Sequence, residues 1–501
     1  MNKQFFIFAA GLVFIAGCSV GPDYHQPPAI ASQPVPAAFT GTVSATNYSE
    51  WKVAQPSASL PRGEWWKVFD RAELDRLESL AATNNQNLAA TAAQVEQARA
   101  LVKVARADFF PQLSAQPSYV RQGTSFNAPQ NGKPAGTAYT YNTFAAPLDL
   151  NWELDLWGRV RRESESAQAH FMAVADDFAS AKLLLQAEVA SDYFMLRALE
   201  AEHALVADTI TTYRRSLELT QNRRQGGIAS DLDVAQAETQ LRVAEAELPA
   251  LELQQETLLH ALATLCGQPA TGFQLAPDNL MTNAIPNLPV SLPSELLERR
   301  PDIAAAERRM NAANADVGVA KSAFYPQVYL NGGAGYESLS ANSLFDWPSR
   351  VWALGPSVNF PLFTGGRNRA QLAAARAAYD GTVANYRETV LTAFQEVEDQ
   401  LSAQRLLAAQ FDAQSAAVAA AQHTLDISNN RYQAGLDTYL DVATAQSVTL
   451  SNERTVVQLA GQRLVAEVAL IKALGGGWQP LGVGKTSQDQ DSQQAVVRLK
   501  P

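Results

Sequence analysis

The sequence predicts a mixed, mainly α-helical fold that is internally duplicated, each half supplying two β-strands and one long helical hairpin. Three observations carry that prediction. The stretch Asn222-Arg-Arg-Gln-Gly-Gly-Ile-Ala-Ser-Asp-Leu-Asp-Val234 returns as Asn430-Arg-Tyr-Gln-Ala-Gly-Leu-Asp-Thr-Tyr-Leu-Asp-Val442, at a constant shift of 208. Internal repetition decides the architecture before any single element does. Ahead of the first copy, Phe171, Val174, Phe178, Ala181, Leu185, Val189, Tyr193 and Leu196 recur at helical spacing, with no proline or glycine between Gly158 and Gly226. Further back, Leu148, Leu150, Trp152 and Leu154 alternate with Asp149, Asn151, Glu153 and Asp155, the period of a strand with one apolar and one polar face.

The chain begins with a short positive segment, Met1-Asn-Lys3, and an apolar run from Phe5 to Ala16. That run is too short to span a bilayer as a helix and has the size of a signal peptide. It ends in Ile15-Ala-Gly-Cys18, which resembles a bacterial lipobox. The resemblance implies a signal peptide over 1–17, acylation of Cys18 and anchoring in a membrane leaflet. Ser19 follows, not Asp, and by resemblance to sorted lipoproteins that favours the outer membrane. Residues 18–62 are rich in Pro, Ala, Ser and Thr and read as an extended tether along the body. With Cys18 lipidated, Cys266 has no disulfide partner.

A net charge of −11 without a basic run argues against nucleic-acid binding. No stretch after residue 17 is apolar enough for a transmembrane helix, so a membrane crossing has to be a β-barrel.

The first repeat is expected over 63–290: a helix, strands at about 113–121 and 139–154, then a helical hairpin with its tip at 226–230. The second is expected over 291–477, with strands at about 328–336 and 351–362 and a tip at 434–438. In each repeat a helix is stopped by proline, at Phe109-Phe-Pro-Gln112 and Phe324-Tyr-Pro-Gln327. The hairpin helix before the first tip needs some sixty residues, roughly 100 Å at about 1.5 Å per residue, longer than a compact domain accommodates. Gly227 and Gly435 suit the left-handed position that ends a helix. Ser230-x-x-Asp233 and Thr438-x-x-Asp441 fit the box that starts the next one. Pro249 is expected to bend or break its helix, Pro293 and Pro301 to bracket a short helix, and 478–501 to form a mobile polar tail.

Four strands cannot close, and an open edge is not tolerated in lipid. They must be shared between copies: two would give eight strands, three would give twelve and room for a channel. A soluble four-stranded sheet with one wet face is the other reading of the same pattern.

The chain resembles the outer-membrane factors of the TolC fold, in the NodT family of lipoproteins that serve RND-type efflux systems. The resemblance rests on Ile15-Ala-Gly-Cys18 with Gly21-Pro-Asp-Tyr24, on Trp65-Trp66-x-x-Phe69, on Trp152-Glu-Leu-Asp-Leu-Trp-Gly-Arg159, on Leu297-Glu-Arg-Arg-Pro-Asp-Ile303 and on both tips. It implies a homotrimer with four transmembrane strands per protomer, forming a twelve-stranded barrel continuous with a periplasmic α-helical barrel. It also implies a passive exit duct in the Gram-negative outer membrane, anchored by acyl chains and partnered by a periplasmic adaptor and an inner-membrane RND-type pump. By the family pattern, Gly227, Ile228 and Ser230, with Gly435, Leu436 and Thr438, meet the adaptor. Leu440 falls on a closing apolar ring, Asp441 near an acidic ring and Tyr432 on a gate-latching tyrosine. Helix capping by Asp441 and plain packing by Tyr432 are the bland readings of the same residues. Thr444 departs from the family, where many members carry a second Asp. No histidine pair has metal-ligand spacing, and no catalytic constellation or cofactor site is legible, so neither an enzyme nor a cofactor is implied. A structural, periplasm-spanning coiled-coil lipoprotein is the alternative; it explains the rods but not the alternating strands.

Overall fold

The computed structural model of the protein describes residues 19–30, 64–127, 136, 138–276, 278 and 300–476. Cys18, the expected signal peptide, the expected short helix at 294–300 except Arg300, and the tail at 478–501 lie outside the described residues. Seven helices are used below: α1 Ala72–Asn84, α2 Gln86–Ala107, α3 Arg159–Gln225, α4 Asp231–Leu265, α5 Pro301–Ser322, α6 Arg367–Gln433 and α7 Tyr439–Ala473. The strands are β1 Gln112–Ala115, β2 Ser118–Gly123, β3 Thr140–Leu154, β4 Gln327–Ser338 and β5 Arg350–Asn359. The duplication is visible in the helix lengths: α3 and α6 each have 67 residues, and α4 and α7 each have 35. The unequal spacing of the two repeats therefore falls in the strands and their loops. The chain divides into two compact units.

One unit comprises Met1–Pro28, Gln94–Ala175 and Ala305–Tyr386. Its sheet is antiparallel throughout, in the order β1-β3-β4-β5, with β2 also paired to β3. The first strand expected at 113–121 is thus two short strands, interrupted at Gln116–Pro117, where proline offers no N–H to the ladder. The last strand ends at Asn359, short of the expected 362, ahead of Phe360-Pro361. Directly paired residues share a face. Leu148, Ala334 and Trp352 make one row on the apolar face, and Leu150, Gly332 and Leu354 make the next. Trp352 is 81% exposed and Leu354 68%. The opposite face is polar: Asn151 Nδ2 donates to Asn331 Oδ1 at 2.8 Å, and Asn331 Nδ2 donates to Ser357 Oγ at 2.6 Å.

The run Trp152–Arg159 builds the corner between strand and helix. Trp152 Nε1 donates to the Phe109 carbonyl at 3.0 Å, fastening β3 to the chain after α2. The Arg159 fork holds Glu153 through two contacts of 2.8 Å and Glu163 at 2.6 Å. Asp155 accepts from the backbone N–H groups of Val160 and Arg161 at 3.2 and 3.0 Å, a carboxylate at the positive end of α3. Trp157 stacks on Tyr325 at 5.0 Å and donates to the Pro326 carbonyl at 2.7 Å, joining the corners of the two repeats.

The described part of the tether lies against this corner. Val20 N donates to the Trp157 carbonyl at 2.9 Å, Asp23 pairs with Arg162 at 2.8 Å, and the Pro22 carbonyl accepts from Asn314 at 3.1 Å. A Cβ at Gly21 would come within 2.7 Å of the Gly318 backbone, which explains the glycine of the Gly21–Tyr24 motif. Residues Ser19 to Gln26 thus form a strap along the start of α3 and the C-terminal half of α5.

The other unit comprises Ala29–Ala93, Asp176–Ala304 and Arg387–Pro501. Its largest core gathers Trp65, Trp66 and Phe69 with Leu74, Leu77, Tyr193, Phe194, Leu262 and Cys266, and Phe69 meets Phe194 at 4.8 Å. Cys266 is a buried, unpaired thiol in this core, and burial pushes its pKa up to about 11. Arg300 holds Asp302 and Glu396, each at 2.6 Å, and donates to the Ala473 carbonyl near the end of α7. That network uses Arg300 and Asp302, two of the described residues of the Leu297–Ile303 motif. Of the two outcomes expected at Pro249, the break does not occur: α4 runs on through it. No described helix is long and apolar enough to cross a membrane.

Glu467 of α7 is 2% exposed; one oxygen accepts from Gln404 of α6, and the other meets no donor among the described residues. Burial raises its carboxyl from 4.5 to about 7. The fold thus favours the protonated form. The cost of ionisation is absent below about pH 4.5, grows as pH rises and is complete above about pH 7. It amounts to at most about 3 kcal/mol per chain. Glu467→Gln should raise the detergent-solubilised protein's melting temperature at pH 8 and leave it little changed at pH 4.5, reducing the slope between. Circular dichroism melts at the two pH values check this, and equal pH slopes in both proteins would contradict it.

Candidate functional site

The candidate site is the pair of hairpin tips, both in the second unit. Each begins where α3 or α6 ends in a left-handed glycine, Gly227 at φ +74° and Gly435 at φ +76°. A side chain with a Cβ is strained in that region. The orphan carbonyls at the helix ends are met by the turn itself. Gly227 N donates to the Arg224 carbonyl at 2.9 Å and Ile228 N to the Arg223 carbonyl at 2.8 Å. Gly435 N and Leu436 N do the same to Tyr432 and Arg431, at 3.0 and 2.9 Å. The reversal is completed by the box that opens the next helix. Ser230 N donates to the Asp233 carboxylate at 2.8 Å, and Ser230 Oγ accepts from Asp233 N at 3.2 Å; Thr438 N and Oγ1 donate to Asp441 at 3.2 and 2.8 Å. Each such cap contributes about 1 kcal/mol.

What the tips present differs from what they bury. Ile228 and Leu436, at equivalent places in the repeat, are both 69% exposed. Gly227, Ser230, Gly435 and Thr438 make the bends that carry them. An Arg–Asp pair spans each tip, Arg224 with Asp231 in the first and Arg431 with Asp437 in the second, the latter through contacts of 2.6 and 2.8 Å. Leu440, on the first turn of α7, is 55% exposed. Asp441 is exposed while its carboxylate is engaged in the cap. Thr444 donates to the Leu440 carbonyl at 2.8 Å, within its own helix. Cys18, the expected lipidation site, lies outside the described residues.

Tyr432 lies on the inside. It is buried with Tyr439, Val442, Ala443 and Ala237, and its ring meets Tyr439 edge-on at 5.4 Å. Its hydroxyl finds no partner among the described residues, so the ring, not the oxygen, is used. The Arg223 guanidinium sits over that ring, 4.8 Å from the centroid, and Nη1 donates to the Gln433 carbonyl at 3.0 Å. Tyr439 extends the contact: its hydroxyl lies 3.3 Å from Ser216 Oγ of α3 and 3.4 Å from Gln446 of α7. Burial raises the Tyr439 hydroxyl above its ordinary pKa, which keeps it neutral and able to donate.

Arg223 and Tyr439 are therefore the residues that sequence reasoning missed at this site. A signal was present. At the shift of 208, Arg224 corresponds to Tyr432 and Asp231 to Tyr439, so the ion pair of the first tip is an aromatic pair in the second. Arg223 corresponds to Arg431, but Arg431 is held by Asp437 within its own tip, whereas Arg223 crosses to the other hairpin.

The protein-family model for the outer membrane efflux protein matches residues 77–268 and 292–476. The toluene efflux pump outer membrane protein TtgC of Pseudomonas putida is 33% identical over 95% of this chain and 96% of its own length. The outer membrane protein OprJ of Pseudomonas aeruginosa is 33% identical over 95% of this chain and 97% of its own. Among solved structures, the outer-membrane channel OprN superposes with a TM-score of 0.83 at 31% identity, over 92% of this chain and all of that one.

A cation–π contact of up to about 2 kcal/mol and a charged hydrogen bond of about 1.5–3 kcal/mol should make Arg223 the principal tie between the tips. Arg223→Ala is expected to speed amide hydrogen exchange around Tyr439–Ala443 by roughly tenfold or more, while Arg224→Ala, on the exposed pair, should change it little. Equal effects of the two substitutions would remove Arg223 from that role.

Proposed function

The chain belongs to the outer membrane efflux protein family, and we propose that it forms the exit duct of a tripartite efflux pump as a homotrimer closed by a shared β-barrel. It is an outer-membrane efflux component, of a family of transport channels. The observation that carries the finer reading is the sheet. One face is apolar and largely exposed, the other is an asparagine and serine ladder, and β5 and the β1–β2 strand have no partner on their outer edges among the described residues. Counting β1 and β2 as one interrupted strand, three copies supply twelve strands. Edge pairing between copies would satisfy the backbone groups that lipid cannot.

In this reading the apolar face meets lipid and the polar face lines a wet lumen. The chain holds no energy source of its own, so conduction is passive and driven by an inner-membrane RND-type pump. The exposed Ile228 and Leu436, raised on rigid bends, are the natural contacts for a periplasmic adaptor. Leu440 is the apolar closure: three leucines around a threefold axis exclude water and block ions by dewetting. Asp441, already committed to its cap, adds negative charge beside that ring. Tyr432 acts from inside the protomer, through Arg223, to hold the second tip in place. Acylated Cys18, followed by the strap from Ser19 to Gln26, would attach the duct to its leaflet.

The test is the mass of the membrane-extracted protein in mild detergent, with single-channel conductance on the same sample. A trimer of small resting conductance is expected. Leu440→Ala should raise that conductance severalfold without altering the mass. Asp441→Ala should raise it too and lower cation preference, at a stability cost of about 1 kcal/mol for the lost cap. A monomer or dimer without conductance would reject the duct.

A further inference from the structure

The outward face of the sheet changes character along its height. Starting where β3 leaves for α3, the rows run Leu154–Val328–Val358, Trp152–Leu330–Pro356, Leu150–Gly332–Leu354 and Leu148–Ala334–Trp352. The next row is Ala146–Tyr336–Arg350. At the opposite edge, Tyr119 and Arg121 of β2 pair with Phe144 and Asn142 of β3, which places Arg121 on the same outward face. The contacts agree: the Tyr119 and Phe144 rings lie 4.8 Å apart, and Tyr119 donates to Asn142 at 3.2 Å.

Eight residues separate Val358 from Arg350, about 27 Å along a strand and roughly 20 Å of height at a tilt near 40°. Phe360 and Leu362, exposed below, extend the band towards the ~25 Å expected of an outer-membrane barrel. Arg350 therefore sits at the far margin of the apolar band, at headgroup level.

The loop above it is built. Ser338 Oγ and Ser343 Oγ lie 2.8 Å apart, and Ser349 Oγ donates to the Ser343 carbonyl at 2.6 Å. This network presents Phe345 and Trp347, 72% and 71% exposed, beside Tyr336, whose ring meets Phe345 at 5.6 Å. The Arg350 guanidinium lies over Trp347 and gives its Nε proton to the Trp347 carbonyl at 2.8 Å. That fixes the side chain against Trp347 through its Nε. Neither Arg121 nor Arg350 pairs with a carboxylate among the described residues. Fixed cations beside aromatic anchors at a lipid boundary are favourable only where they meet anionic headgroups.

We propose that the distal outward rim, formed by Arg350 with Trp347 on one sheet edge and Arg121 on the other, binds the phosphate groups of the outer leaflet's glycolipid. The inference rests on the shared-barrel reading above. In a barrel closed by copies, the β5 edge of one chain adjoins the β1–β2 edge of the next, so each rim site takes one arginine from each of two chains. A guanidinium fork reads phosphate in two parallel hydrogen bonds, and an indole plane beside it suits a sugar–acyl boundary.

The test uses the full-length protein extracted in mild detergent and examined by native mass spectrometry with three probes: bisphosphorylated lipid A, its dephosphorylated form and phosphatidylglycerol. Retention of the bisphosphorylated form at least tenfold over the other two is expected. Arg121→Ser with Arg350→Ser should cut that retention fivefold or more, and the double lysine variant should keep most of it. Equal retention of the dephosphorylated form or of phosphatidylglycerol, or undiminished retention by the serine variant, overturns the proposal. Mass and conductance on the same samples separate the two readings. A conducting trimer without lipid preference rejects the rim site alone. A sample that is neither trimeric nor conducting rejects the duct, and the rim site with it.

Discussion

The unpaired backbone at the two outer edges of the sheet is the constraint on which the rest depends. An N–H or carbonyl without a partner costs several kcal/mol in hydrocarbon, and each edge carries a row of them. One chain cannot cancel that cost, because its sheet runs from the β1–β2 strand to β5 and stops. Other features of the first unit then follow as means of presenting the edges correctly. The Glu153–Arg159–Glu163 and Asp155 contacts fix the angle at which β3 passes into α3. The Trp157–Tyr325 stack makes the second repeat's corner follow the first. The strap from Val20 to Gln26 ties the start of α3 to the C-terminal half of α5 and to α6, with Asn314 donating to the Pro22 carbonyl and Gln26 donating to Tyr386 at 3.2 Å.

Duplication with divergence explains the tips. Two helices of 67 residues and two of 35 come from one ancestral plan, and the capping chemistry is retained in both copies. What changed is the pair of positions that face across the bend. Arg224 and Asp231 keep the first tip's pair in solvent, where it contributes little. Tyr432 and Tyr439 turn the second tip inward, where two aromatic rings exchange water contact for packing. A tip that keeps this pair in solvent and one that buries it, at equivalent places in one chain, can then do different work.

Much of this was legible in the sequence, for reasons that can be named. The alternation from Leu148 to Leu154 and the unbroken stripe from Phe171 to Leu196 report periods that only β3 and α3 satisfy. Gly227, Gly435 and the two capping boxes are local chemistry, readable over a few residues. The split of the first strand at Gln116–Pro117 was also written locally, and the alternation around it concealed the missing donor. Pro249 left two outcomes open, and the break did not follow, because tertiary packing of α4 outweighs one lost hydrogen bond. Arg223 was not readable, since its ring partner Tyr432 is two hundred residues away and only the packing of one hairpin on the other brings them together. The Asn151–Asn331–Ser357 ladder is likewise a matter of register, which a single strand does not specify.

Energetics within the second unit also indicate where the second hairpin is firmly held. Arg454 of α7 reaches Glu202 of α3 and Glu247 of α4, both at 2.8 Å, and Glu202 is 2% exposed. Removing one partner from such a buried pair costs about 3–5 kcal/mol. At the tip the principal tie between hairpins is Arg223, over a ring and on a carbonyl, and a further polar contact from Tyr439 to Ser216 is a neutral one. A neutral hydrogen bond contributes about 1 kcal/mol. Arg454 thus meets two carboxylates, one of them buried, whereas the tip is held by one arginine on uncharged partners and by a neutral hydrogen bond. In the proposed duct, a displacement of the second hairpin would thus cost least at its tip, where Leu440 stands, and most at the clamp. The element held by the fewest charged ties is then the one to which the proposed closure is assigned.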